Sequence, residues 1–171
     1  MTPIKTALIF MALGATAAVS APAAAQEPVV AAADPEALFT DPNPTLNANK
    51  QAVLHILREL LQCNHWDEAD KYLTERYLQH NPNVTSGRAN VIKYFGPPPR
   101  TPTCGKLTMP VVTVLTSGNI VGVVFRMEYD YPTTAGTPAG KKYTTIFYDQ
   151  WRIVDGRADE HWDTGLLDPP K

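Results

Sequence analysis

An excess of charge of either sign, internal repeats, and long apolar runs beyond residue 19 are all missing from this 171-residue chain. Lys and Arg number 15 against 17 Asp and Glu, a formal charge of −2, so the basic face that nucleic acid requires is absent. No run after Val19 approaches the length of a membrane span. There is no G-x-S-x-G, no P-loop and no G-x-G-x-x-G, which removes the usual nucleophile and phosphate-binding motifs. Cysteine is scarce, with only Cys63 and Cys104.

The one long apolar run lies at the start, in MTPIKTALIFMALGATAAVSAPAAAQ. Lys5 precedes it and small residues close it at Ala23-Ala24-Ala25, the layout of a signal peptide cut after Ala25. The alternative is an uncleaved anchor. Residues 1–25 are therefore expected to be removed, and the protein to be exported, periplasmic or secreted, with no membrane span after cleavage. In an oxidising compartment an even cysteine count suits a Cys63–Cys104 disulfide. The other reading is a buried Cys63 thiol beside Leu60 and Leu61.

Residues 26–47 are rich in Pro, Ala and Asp without a sustained period, and read as a flexible leader. Residues 48–171 are sized for one core. In NKQAVLHILRELLQCNHW the apolar Val53, Leu54, Ile56, Leu57, Leu60 and Leu61 recur at helical spacing. DEADKYL reads as a short second helix capped by Asn64 or Asp67, RYLQHNP as extended, and SGRANVIKYF as a third helix stopped by Gly96. Val- and Thr-rich segments then flank Ser117-Gly118-Asn119, with Pro110 marking an edge or bulge. TTAGTPAG is a loop, and two last strands, KKYTTIFYDQWRIV and RADEHWD, flank Asp155-Gly156. Helices followed by strands give an α+β fold, a curved antiparallel sheet covered by three N-terminal helices with a pocket between.

The last hairpin carries the chemistry. His161 and Asp163 share a face of RADEHWD, opposite Glu160 and Trp162. A two-residue turn at Asp155-Gly156 would set Asp149 opposite Trp162 and away from His161. A three-residue loop ending in a Gly bulge would set it opposite His161, with Asp163 beside Phe147 and with Arg152, Gln150, Asp159 and Glu160 outside. The second register surrounds the acids with Phe147, Trp151 and Ile153, raising carboxyl basicity as proton transfer needs. It is the register expected here. Each residue has a plainer reading too. His161 and Asp163 could be a wet cross-strand pair, His80 a turn residue before Pro82, and Trp66 and Trp162 simple core. His80, Asp149, His161 and Asp163 could also supply a metal, but no strong ligand spacing such as H-x-x-x-H is present, so no metal and no cofactor are expected.

The segment from Asn49 to Phe95, with YLQHNP and GRANVIKYF, followed by RIVDGRADEHWD, resembles the SnoaL-like proteins of the nuclear transport factor 2-like superfamily. The likeness covers about residues 48–165 and is nearest the branch of predicted aldol-condensation enzymes. It implies an α+β cone, often dimeric through its sheet, and cofactor-free aldol closure. By resemblance Asp163 matches the family's aspartate base, and Asp149 stands where the cyclases carry histidine. His161 and His80 are typical of the narrower branch, whose middle-strand histidines are missing from VVFRMEYDY. The expected site is thus Asp163, His161, Asp149 and His80, walled by Tyr77, Trp151, Phe147 and Trp66. The expected partners are an apolar small molecule bearing a carbonyl and a second copy of the chain. Three roles remain open: a cofactor-independent lyase or isomerase, a non-catalytic binder of a hydrophobic small molecule, and a dimeric scaffold using the outer face around Tyr148 and Trp162.

Overall fold

Asn43 starts the helical layer. Its side chain accepts hydrogen bonds from Thr45 N (2.9 Å) and Leu46 N (3.2 Å), and Pro44 in the first turn lacks only an N–H that no helix start could use. Helix α1 runs over Pro44–His55 and continues as a π-helical stretch, Ile56–Gln62. The wider turn is marked by Cys63 N donating to Arg58 O, five residues back. Asn64, at φ 58°, ends it in the left-handed conformation that asparagine tolerates. This computed structural model describes residues 27–96, 99–131 and 140–169. The expected signal peptide and nearly all of TTAGTPAG lie outside the described residues.

The segment expected to be a loose leader is packed instead. Pro35–Phe39 forms a 3-10 turn whose Phe39 ring is fully buried. Upstream, Ala32 N bonds to Val111 O (2.8 Å) and Val29 N to Thr144 Oγ1 (2.7 Å), holding this stretch against the sheet. Composition without periodicity hid one aromatic anchor, and that anchor decides the outcome. The second helix is a 3-10 helix, Trp66–Lys71, with neither expected residue acting as a side-chain cap. Helix α2 covers Arg88–Phe95 and stops at Gly96, whose φ of 69° suits glycine.

Five strands form one sheet in the order β1-β5-β4-β3-β2: β1 Leu73–Gln79, β2 Val111–Ser117, β3 Ile120–Asp130, β4 Lys142–Val154 and β5 Arg157–Asp163. Its curved inner face presents Val121, Val123, Phe125, Trp151 and Ile153 to buried Val53, Leu57 and Leu60 of the helical layer. β2 is an edge strand with a register shift between Val111 and Thr113, as Pro110 suggested. The sheet is antiparallel except at its other edge, where β1 runs parallel to β5 and pairs Gln79 with His161. An all-antiparallel sheet was expected, and this one parallel pair joins segments that nothing in the local sequence links.

The loop at Asp155-Gly156 has two residues, not three. Both adopt positive φ (48° and 75°), the type I′ geometry that Asp-Gly supports, and Val154 pairs with Arg157. The extra residue comes later. Ile153 pairs with Ala158 but Arg152 pairs with Glu160, so Asp159 is a bulge in β5. That bulge restores the inward parity which the short turn would have reversed. The pairs are Trp151 with His161 and Asp149 with Asp163, displaced by two residues from the expected Asp149–His161 opposition. Asp159 turns toward Thr74 and Arg76 of β1, accepting from Thr74 Oγ1 (2.8 Å) and Arg76 Nε (2.8 Å). It is buried there beneath Arg76, which holds its carboxyl below the usual carboxylate range.

Cys63 and Cys104 are bonded, with Cα atoms 5.8 Å apart across 41 residues of chain. Closing a loop of that length removes about 4 kcal/mol of chain entropy from the unfolded state in the loop-closure account. The bridge ties the end of the π-helical stretch to the loop that leads into β2.

Candidate functional site

Between the helices and the inner face lies a cavity of about 290 Å³, close to the lower bound of roughly 300 Å³ for small-molecule pockets. The π-helical stretch contributes Ile56, Leu60 and Leu61 to its apolar wall, and Val91 of α2 faces them. Trp66 lines it too, its ring stacked on Phe95 at 4.5 Å. Phe147, Trp151 and Tyr77 complete the aromatic wall.

The polar end is built by three strands. On β4 and β5, Asp149, Trp151, His161 and Asp163 share the inner face. On β1, Gln79 points the same way and bonds His161. His161 Nε2 lies 3.2 Å from Asp149 Oδ1, and Nδ1 lies 2.8 Å from Gln79 Oε1. The ring is thus held through both nitrogens, with Nε2 facing the Asp149 carboxyl. Asp163 accepts from Asn81 Nδ2 and from Gly165 N, each at 2.7 Å. Asn81 Oδ1 in turn accepts Asn83 N at 2.8 Å, which fixes the amide so that its NH₂ faces Asp163. Gly165 is needed there: a Cβ would stand 2.5 Å from Asn81 Nδ2 and 2.9 Å from Asp163 Oδ1.

Burial in this wall pushes the Asp149 carboxyl above its ordinary value. Its hydrogen bond and charge interaction with His161 oppose the rise, and the Asp163 charge adds to it. Two carboxylates and one imidazole therefore meet at the polar end of an apolar cavity. Asp149, His161 and Asp163 also present possible ligand atoms within 4.8 Å of one another. Those atoms already carry protein partners: Gln79 and Asp149 on the ring, Asn81 and Gly165 on Asp163.

The structure brings together seven of the eight expected pocket and site residues, and turns His80 away. Its imidazole stacks on Trp162 at 5.3 Å and contacts Glu160 Oε1 at 2.9 Å on the outer face. The reason is parity. Tyr77 and His80 are three apart on an extended segment, so both cannot face inward. Inward Tyr77 implies inward Gln79, the residue that holds His161. Gln79 and Asn81 flank that histidine in YLQHNP, and alternation from Tyr77 is the sequence signal that places them inward.

A family profile described as a SnoaL-like domain matches residues 56–161. The chain belongs to the SnoaL-like family. The profile spans the cavity wall from Ile56 to the hairpin residue His161, though it stops before Asp163. No protein of curated function matches this SnoaL-like chain by sequence. Among solved structures it is similar to a proposed SnoaL-like polyketide cyclase from Jannaschia sp. CCS1, at 18% identity over 73% of this chain and 91% of that one, with a TM-score of 0.48. It is similar also to a proposed polyketide cyclase from Acidithiobacillus ferrooxidans, at 14% identity over 72% and 89%, TM-score 0.47. An epoxide hydrolase of M. tuberculosis gives 13% identity over 68% and 80%, TM-score 0.46. At these values the likeness extends to neither substrate nor mechanism.

The raised Asp149 has a stability consequence. The native state binds its proton more tightly than the unfolded chain does, so native stability falls as pH rises from the ordinary carboxyl value of 3.8 through the raised one. Asp149→Asn keeps an acceptor for His161 and removes that loss. Its urea midpoint should exceed that of the wild type at pH 7, with the advantage shrinking as pH falls toward 4. Equal midpoints at both pH values would show that Asp149 is not strained by burial.

Proposed function

We propose that this SnoaL-like protein is a cofactor-free acid–base catalyst acting at a carbonyl, of the aldol or isomerase type. The observation that carries the reading is the juxtaposition of Asp163 with the Asp149–His161 pair at the polar end of an otherwise apolar cavity. Asp163 takes the proton α to the carbonyl, and the C–H electron pair becomes the enolate. That carbon attacks a second carbonyl in an aldol step. The proton shared between His161 Nε2 and Asp149 passes to the resulting alkoxide, displacing that contact while Gln79 holds the ring. The proton on Asp163 then restores the His161–Asp149 pair, so the cycle is neutral and needs no oxidant or reductant. Protonation of the enolate at another carbon gives the isomerase outcome with the same groups.

Positioned acid–base groups contribute about 10²- to 10⁴-fold. Transfer of deuterium from D₂O into the methyl group of acetophenone, followed by proton NMR, measures the first step without knowledge of the natural substrate. The wild type should accelerate exchange, and Asp163→Asn should lose about 10²- to 10⁴-fold of that acceleration. Unchanged exchange in the variant would remove Asp163 as the base. A second reading, a non-catalytic carrier of a hydrophobic small molecule, is favoured by the predominantly apolar wall of Ile56, Leu60, Leu61 and Val91. Tight acetophenone binding without exchange would select it.

Two properties accompany this reading. We propose export with cleavage after Ala25, supported by the leader pattern and by a disulfide suited to an oxidising compartment. The mature protein recovered from its host should begin at Gln26 by N-terminal sequencing, and an intact Met1 would refute it. We also propose a homodimer through the outer face, where Leu115 and Ile146 are more than half exposed. Light scattering should give twice the chain mass for the wild type and one chain mass for Ile146→Glu; a monomeric wild type ends that proposal.

A further inference from the structure

Tyr77 stands on β1 with its side chain against the cavity, and it is only 4% exposed. Its hydroxyl oxygen accepts Trp151 Nε1–H at 3.0 Å. A phenol also has one proton of its own to donate. Among the described residues that proton has no acceptor, because the Trp151 contact is the only hydrogen bond of the Tyr77 hydroxyl. A buried donor left unpaired is unfavourable, and an unexplained one in a pocket wall points to a partner that binds there. Burial pushes the phenol well above its ordinary value. The bond from Trp151 opposes this, and the Asp149 and Asp163 charges reinforce it, so the proton stays in place at any physiological pH.

The rest of the lining narrows the partner. It contains Asp149, Asp163 and His161 but neither lysine nor arginine among the described residues. An incoming carboxylate or phosphate would meet two acids with only His161 to offset them. A neutral oxygen acceptor meets no such repulsion and satisfies the phenol.

We propose that the Tyr77 O–H receives the carbonyl oxygen of an uncharged ligand and holds the enolate oxygen that forms when the base removes the α-proton. This rests on the carbonyl chemistry proposed above and adds the group that stabilises its intermediate. The Trp151 N–H donates into the same hydroxyl oxygen, which increases the polarity of the O–H bond aimed at the ligand. No bond is made or broken at Tyr77; the charge that develops on the ligand oxygen is met by a donor oriented in advance.

Acetophenone and ethylbenzene share a carbon skeleton and differ in the carbonyl. Their binding to the full chain and to Tyr77→Phe separates the polar contact from cavity shape. Acetophenone should bind the variant about tenfold more weakly, the loss typical of one hydrogen bond, while ethylbenzene changes less than twofold. The infrared C=O stretch of bound acetophenone should move to higher wavenumber in the variant, toward its value in an apolar solvent. Retained ethylbenzene binding shows that the variant is folded. An unchanged affinity ratio and an unchanged stretch would overturn the assignment, as would equal weakening of both probes. A wild type that binds neither probe would overturn the carbonyl-pocket reading and this assignment together. Exchange that persists in Asp163→Asn, with the Tyr77 effects present, would refute the base and leave Tyr77 in place.

Discussion

One additional residue in a seven-residue strand decides which way the chemistry faces. The Asp155-Gly156 turn has the tight two-residue geometry that Asp-Gly favours, and on its own it would send His161 and Asp163 to the outside of the sheet. Asp159 corrects this by bulging out of the β5 ladder, where Thr74 and Arg76 of the neighbouring strand hold its carboxylate. The clamp therefore lies on the opposite side of the sheet from the residues it positions. The cavity, the paired acids and the orientation of the imidazole all follow from that local arrangement.

The site then combines two environments. Aliphatic and aromatic side chains exclude water and weaken screening, while a small set of amides and backbone N–H groups supplies directed hydrogen bonds. Gln79, Asn81 and Gly165 fix the imidazole and Asp163, while burial raises the Asp149 carboxyl above its ordinary value.

Much of this was legible from periodicity. The helical spacing of Val53 to Leu61, the stop at Gly96 and the alternation along β4 are one-dimensional signals, and they became the elements they suggest. The inward set Phe147, Asp149, Trp151, His161 and Asp163 was also recovered, although through the wrong turn: a Gly bulge inside a three-residue loop and a later bulge at Asp159 have the same parity. The missed features depend on contacts between distant segments. Phe39 is one aromatic in a Pro- and Ala-rich stretch, and only its burial against the core marks that stretch as packed. The parallel pairing of β1 with β5 leaves no pattern in either strand, so the contact of Gln79 with His161 has no local signal even though alternation from Tyr77 places Gln79 inward. Histidine at position 80 is chemically suggestive, but backbone alternation takes precedence over residue type and turns it to Glu160 and Trp162.

The β1–β5 pairing also sets an order of events. Gln79 and His161 meet across 82 positions of sequence, and Asn81 and Asp163 across the same distance. Loop-closure entropy makes such contacts slow to form, and a chain made from its N-terminus cannot form them until its last strand is available. Helices and central strands can assemble earlier around Val121, Val123 and Trp151, but β1, whose only strand partner is β5, joins the sheet with that last hairpin. One strand, Arg157–Asp163, therefore both closes the sheet and completes the polar end, so the cavity and its reactive groups arrive together.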